Sequence, residues 1–245
     1  MDTTKITKKR QIELREALLL NKAGEILLNE GLSELSMERL AEELDTAKGT
    51  IYNHFPNREE VLLTLAVKAI NKRLALFDAA SMSQGNPKER ILAVNVACEI
   101  YVVHYPQYFL VENIVRHSAI WDRGSEDRRN LLRSEEGRCM TLVSGIVRAA
   151  IASADLTLPA GISPEEMALS LWSLTYGSYL LNITSPSLKD IGINDVHRAV
   201  RIGCCKTVDG YGWKPLWTEE EHARKFTQIR ETVFPDEQAL NHGQK

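Results

Sequence analysis

Apolar side chains along this 245-residue chain recur at helical intervals, and strand-like alternation is hard to find. That period points to an all-α fold. In the first segment Ile12, Leu19, Ala23, Ile26 and Leu27 share the spacing, and Gly31 follows as a stop. Ser36 can cap a short helix that turns Met37, Leu40, Ala41 and Leu44 inward, and another short helix carries Ile51, Tyr52 and Phe55. Later starts carry their own punctuation. Asn57 with Glu60, Asn86-Pro87-Lys88-Glu89, Ser163-Pro164-Glu165-Glu166 and Thr218 with Glu221 all have the spacing of capping boxes. A long helix is expected over about 125–154, with Leu132, Cys139, Val143, Ile146 and Ala150 inward. Pro159, Pro186 and Pro215 fall between helical segments. No fixed-period repeat is present, which excludes a solenoid.

Composition narrows the function classes. The cysteines (Cys98, Cys139, Cys204 and Cys205) have no metal-chelating spacing, and the adjacent pair is badly placed to bridge to itself. A reduced chain without bound metal is the expectation. The opening MDTTKITKKR has no apolar run, so no secretory signal is expected and the chain reads as cytoplasmic. The most apolar stretch, Ile91 to Val111, contains Asn95, Glu99, His104, Pro106 and Gln107, which suits a buried helix broken at Pro106 better than a membrane span. There is no GxSxG, HExxH, P-loop or GxGxxG motif, and neighbouring acids such as Glu42-Glu43 point to different helix faces. We therefore expect no catalytic residues and no cofactor.

Residues 36–55 read SMERLAEELDTAKGTIYNHF. A helix of about eight residues, a tight connection at Asp45-Thr46 and a second short helix make the helix-turn-helix plan. Ala41 is small where the helices would cross, and Leu40, Leu44, Ile51 and Phe55 supply the apolar contact. The second helix then presents Lys48, Gly49, Thr50 and Asn53 outward. These are short or hydrogen-bonding side chains, suited to reaching base edges in a major groove.

The run GLSELSMERLAEELDTAKGTIYNHFPNREEVL resembles the N-terminal domain of tetracycline-repressor-type (TetR family) transcriptional regulators, over about Arg10 to Val61. The resemblance implies an N-terminal three-helix helix-turn-helix domain (1–60), a larger helical effector-binding and dimerisation domain (61–210) and, beyond the usual plan, an extension (211–245). It implies a homodimer that binds a near-palindromic operator on double-stranded DNA and releases it when a small molecule enters the core. Ser36 matches a capping residue that meets a phosphate. Lys48, Gly49, Thr50 and Asn53 match groove-facing positions, Tyr52 and His54 match an aromatic and a histidine against the DNA backbone, and Arg58 matches a phosphate-binding lysine. The turn departs from the family pattern: Leu44-Asp45-Thr46-Ala47 stands where Ala-Gly-Val-Ser is common. Asp tolerates the left-handed conformation of Gly, but Ala47 has no capping hydroxyl, so Thr46 is expected to take over the cap by a one-residue shift. Independently of the resemblance, Lys5, Lys8, Lys9 and Arg10 stand ahead of the first helix, against its dipole, where contact with phosphates or the minor groove would explain them.

The C-terminal core is less specific. Polar and aromatic residues gather around Cys98 to Phe109, Arg116 to Trp121 and Trp172 to Tyr179. A ligand pocket there would take polar groups from Asn95, Glu99, His104 and Arg116 and a wall from Trp172 and Tyr176. The same residue types also serve as satisfied core positions. Helices near 163–181 and 194–206, with Ala168, Leu171, Leu174 and Ser178, are the candidate dimer elements. In the extension Trp213, Leu216 and Trp217 are candidate anchors, followed by an acidic-to-basic helix from Glu219 to Arg230. A DNA-binding regulator without a small ligand, and an enzyme of unrecognised type, remain alternative readings.

Charge opposes a nucleic-acid partner. The net charge is −3, and residues 1–60 hold nine basic and twelve acidic side chains, against 21 of each in the remainder. Phosphate attraction is therefore expected to be local and modest.

Overall fold

The computed structural model describes residues 3–116, 118–185 and 187–240. His117 and Pro186 lie outside these, and of Lys5 and Lys8 only the backbone is described. Among the described residues every regular element is helical. The order is α1 (Thr3–Asn29), α2 (Met37–Glu43), α3 (Lys48–His54), α4 (Arg58–Ser81), α5 (Pro87–His104), α6 (Pro106–Val115), α7 (Ser118–Trp121), α8 (Glu126–Ala152), α9 (Pro164–Thr184), α10 (Val196–Gly210), α11 (Glu219–Val233) and α12 (Pro235–Leu240).

Two compact units divide the chain, and they are not contiguous in sequence. One comprises residues 1–72 and 105–135, the other 73–104 and 136–245. The break thus falls inside α4 and α8 rather than near residue 60, and α6 and α7 belong with the N-terminal helices. The reason lies in the apolar faces. Leu19, Ala23, Ile26 and Leu27 of α1 are buried with Val111 and Val115 of α6, in one core that also takes Leu40, Ile51, Phe55, Leu62 and Leu65. The inward stripe of α1 begins at Leu19: Ile12, expected inside, is 43% exposed. The basic arm is also revised, since the helix already runs from Thr3 and places Lys9 within it. At the other end Gly31, at φ +94°, ends α1, with Glu30 N and Gly31 N both donating to Ile26 O.

In the second unit, Ala93, Val96, Ala97 and Ile100 of α5 and Val147 and Ala150 of α8 are buried, as are Met167 and Ala168 of α9 and Val200 of α10. Three of the four predicted capping boxes there and at α4 close fully. Asn86 and Glu89, Ser163 and Glu166, and Thr218 and Glu221 each exchange both bonds. The fourth closes by half. Glu60 N donates to Asn57 Oδ1 at 2.8 Å, but the Glu60 carboxylate turns away, accepting from Ser125 N at 2.5 Å and pairing with Arg128.

The C-terminal extension packs on α5 through α11 and α12. Trp213 is fully buried and Trp217 lies edge-on to His222, whereas Leu216, expected as an anchor, is 66% exposed. Its main fastening is Lys88, read from sequence only as a helix-start residue. This side chain is wholly buried, and Nζ donates to Asp209 Oδ1 (2.6 Å), Trp213 O (2.7 Å) and Pro215 O (2.6 Å). All three ammonium donors are thereby used.

Candidate functional site

The connection between α2 and α3 is built from local rules. Ser36 caps α2 by accepting from Arg39 N at 3.0 Å. Leu44 ends the helix, and Asp45 takes the left-handed conformation, φ +44°, that the sequence anticipated at this position. Thr46 N then returns to Ala41 O at 3.0 Å, which draws α3 back across α2. The expected shift of the cap does not occur. Ala47 itself is the N-cap of α3, in extended conformation with no side-chain cap bond, and α3 starts at Lys48. The register of α3 therefore needs no displacement.

With Ile51 and Phe55 buried, α3 turns Lys48, Gly49, Tyr52 and Asn53 to solvent, with Thr50 half-buried beside them. Lys48–Tyr52 and Gly49–Asn53 are each four apart, so these side chains form one continuous strip. A Cβ on Gly49 would meet nothing within 4 Å, so internal packing does not explain the glycine. Lys48 Nζ reaches Glu38 Oε1 of α2 at 3.3 Å. The Glu38 carboxyl is held below the ordinary range by its own backbone N–H first and then by Lys48. The other residues singled out are placed differently. His54 is half-buried with Nδ1 3.4 Å from Glu16 Oε1, and Arg58 lies along Leu35 O and Glu59. Lys9 is exposed and within 3.9 Å of Glu13.

The second unit contains a cavity with an almost wholly apolar lining. Phe77 of α4, Leu92 and Asn95 of α5, Met140 of α8, Trp172 of α9 and Val208 of α10 contribute to its wall. Of the six residues proposed from sequence, Asn95 and Trp172 line it. Tyr176 packs edge-on to Trp172, ring centroids 6.1 Å apart, behind the wall. Glu99 is turned elsewhere: it is buried and accepts from Arg201 (2.8 and 3.0 Å) and Arg230 (2.6 Å), tying α5 to α10 and α11. His104 ends α5, its pKa pushed down by burial and by Arg230 against a weaker pull from Glu237. Arg116 follows α6 in the other unit. Ala168 and Leu171, expected on the dimer face, also line the cavity, and Leu174 packs against Gly203 of α10.

The sequence turns Cys139 inward and puts Cys98 at the start of the polar and aromatic stretch, but assigns no thiol to the pocket. Cys98, Cys139 and Cys204 line the cavity, and their spacing on small positions of three helices was the available signal. Burial pushes the Cys204 thiol far up and the Cys205 thiol up to about 12, so both are protonated.

A short helix presenting polar side chains to solvent, joined by a tight turn to a second short helix packed across it, is the helix-turn-helix arrangement of DNA-binding transcriptional regulators. Residues 19–65 match the family model described as bacterial regulatory proteins, tetR family, and by that match the helix-turn-helix domain belongs to this family. No curated protein matches the chain significantly. Among solved structures, the chain is similar to a bacterial regulatory protein in the tetR family from Rhodococcus RHA1, at TM-score 0.65 and 16% identity over 82% of this chain and 98% of that one. It is likewise similar to a TetR/AcrR-family regulator from Thermobifida fusca (TM-score 0.61, 18% identity, 80% and 98% covered). A third is the ketosteroid transcriptional regulator KstR2 of Mycobacterium tuberculosis (TM-score 0.60, 15% identity, 80% and 94% covered). The chain as a whole has the fold of these regulators. No described helix is long and apolar enough to cross a membrane.

Proposed function

We propose that the protein is a ligand-responsive repressor that binds a near-palindromic operator as a homodimer, each subunit laying α3 in a major groove. The observation that carries this reading is the exposed strip of Lys48, Gly49, Tyr52 and Asn53, with Thr50 half-buried beside it, set over a buried Ile51 and Phe55. In it Lys48 and Asn53 read base edges and Gly49 lets the backbone approach. Ser36, Thr46, Ala47, Tyr52, His54 and Arg58 flank the groove toward phosphates, with Lys9 on α1 adding a contact outside it. Half-sites lie about one helical turn apart or a multiple of it.

Dimerisation uses α9 and α10. Support comes from Leu169, Leu181 and Ile183 of α9 and Ile202 of α10, large apolar side chains at 37–55% exposure. The cavity in the second unit supports an effector-binding role for it. An effector with higher affinity for one arrangement of the dimer shifts the spacing of the two recognition helices away from the operator's, and coupling is limited to that difference in affinity.

The test is selection of bound fragments from genomic DNA by the wild type and by the Lys48→Ala/Asn53→Ala double variant. The wild type is expected to enrich a near-palindrome, and the double variant to lose that preference while retaining weak general binding. Identical enrichment by both proteins would remove α3 from the recognition role.

A further inference from the structure

Resting on the reading of the second unit as the effector-binding part, we propose that its cavity takes an uncharged, mainly apolar molecule bearing one hydrogen-bonding group seated against Asn95. The lining decides the first half. Aliphatic carbon, the Phe77 and Trp172 rings and the sulfur of Met140 and three cysteines make up nearly all of it. The charged residues at its wall, Arg73 and Glu136, are of opposite sign and both half-buried, so the wall offers no net charge to a carboxylate or an ammonium. A lining this apolar returns little to an ionic head group for the water it gives up.

Asn95 decides the second half. It is only 5% exposed, and Nδ2 donates to Cys204 Sγ at 3.0 Å, a weak acceptor. Its side-chain oxygen accepts no hydrogen bond from the described residues, although the residue lines the cavity. A buried amide with half its capacity unused is costly until a partner arrives. The neighbouring neutral polar group is drawn into its own helix instead. The Thr175 hydroxyl donates within its own helix, to Leu171 O and Trp172 O at 2.9 Å each. Among the neutral side chains of this wall, the Asn95 amide is therefore the place where a ligand hydroxyl or N–H replaces its bonds to water.

The test uses the full chain and three probes that share a tail and differ in head charge: dodecan-1-ol, dodecanoate and dodecylammonium, each titrated calorimetrically below its aggregation concentration. Dodecan-1-ol is expected to bind once per chain and at least tenfold more tightly than either ion. Asn95→Leu is expected to weaken the alcohol about tenfold, and Thr175→Val to leave it unchanged. Should the Asn95 variant fail to fold, the charge series on the wild type decides alone. Either ion within twofold of the alcohol, no binding by any probe, or full affinity in a folded Asn95→Leu overturns the assignment. Adding dodecan-1-ol to the chain on its selected DNA separates the two readings. Binding that leaves the DNA complex intact keeps this site and removes the regulatory role. A chain that holds its DNA but takes none of the probes removes this inference and keeps DNA recognition.

Discussion

Two residues set the geometry of the helix pair that faces DNA, and both depart from the family's usual turn. Asp45 occupies a left-handed position, φ +44°, at a cost that Asp bears better than branched residues. Ala47 caps α3 with no side-chain bond, leaving the first N–H groups of a seven-residue helix without that partner. Its backbone, φ −68° and ψ 141°, already has the extended conformation a capping serine adopts. Ala47→Ser is therefore expected to stabilise the protein by about 1 kcal/mol. Thermal melting should register this as a rise of roughly 2–4 °C. An unchanged melting temperature would mean that solvent already satisfies the end of α3.

At the scale of elements, one buried lysine supports the docking of helix α11, beside the pairing of its Arg230 with Glu99 of α5. Lys88 joins α5 to Asp209 of α10 and to the backbone at Trp213 and Pro215, while Asp209 Oδ2 meets His222 Nε2 of α11 at 3.0 Å. Lys88→Met leaves that carboxylate without its principal counter-charge. Removing one partner of a buried ion pair is expected to cost about 3–5 kcal/mol, and hydrogen exchange should rise first over 219–233. Burial raises the Asp209 pKa, but hydrogen bonds from Lys88 and His222 outweigh it and leave the group below its ordinary value of 3.8. The stabilisation is thus complete above pH 3.8 and lost as pH falls through the lower folded value, so α11 of the wild type should loosen only in strong acid. Protection of α11 unaffected by Lys88→Met would show that Trp213, Phe234 and the Glu99–Arg230 pair suffice to hold the extension.

The same elements show what the sequence could disclose. Helical period, caps and the apolar positions Leu40, Ala41, Ile51 and Phe55 are local properties, and they made α2, α3 and the outward strip legible. The three closed capping boxes were legible for the same reason. Glu60 was not, because its partners Ser125 and Arg128 are 65 residues or more away in the chain. The cavity was half legible: Asn95 and Trp172 were found by composition, but Glu99 is drawn to Arg201 and Arg230 by pairings 102 and 131 residues distant. Exposure on α1 misled for a related reason, since the core that α1 enters begins only at Leu19.

For the whole molecule, the excess of acid in residues 1–60 becomes a statement about how binding responds to salt. Cations near the candidate interface are already paired within the chain: Lys48 with Glu38, and Arg39 with Glu43 at 2.8 Å. Few are left to displace counterions, so the dimer proposed above should make about two or three phosphate contacts per subunit, for a slope of log affinity on log salt between roughly −3.5 and −5.5. Such pairs are exposed and contribute little to stability, which makes them cheap to alter. Glu38→Gln releases Lys48, whose side chain is 60% exposed, and is expected to leave melting unchanged within about 0.5 kcal/mol. It should tighten binding to any duplex at low salt and steepen the slope by roughly 2 for the dimer. Fluorescence anisotropy on specific and scrambled duplexes across a salt series measures both effects. If the slope of the variant equals that of the wild type, Lys48 does not meet the DNA, and the contact surface lies away from α3.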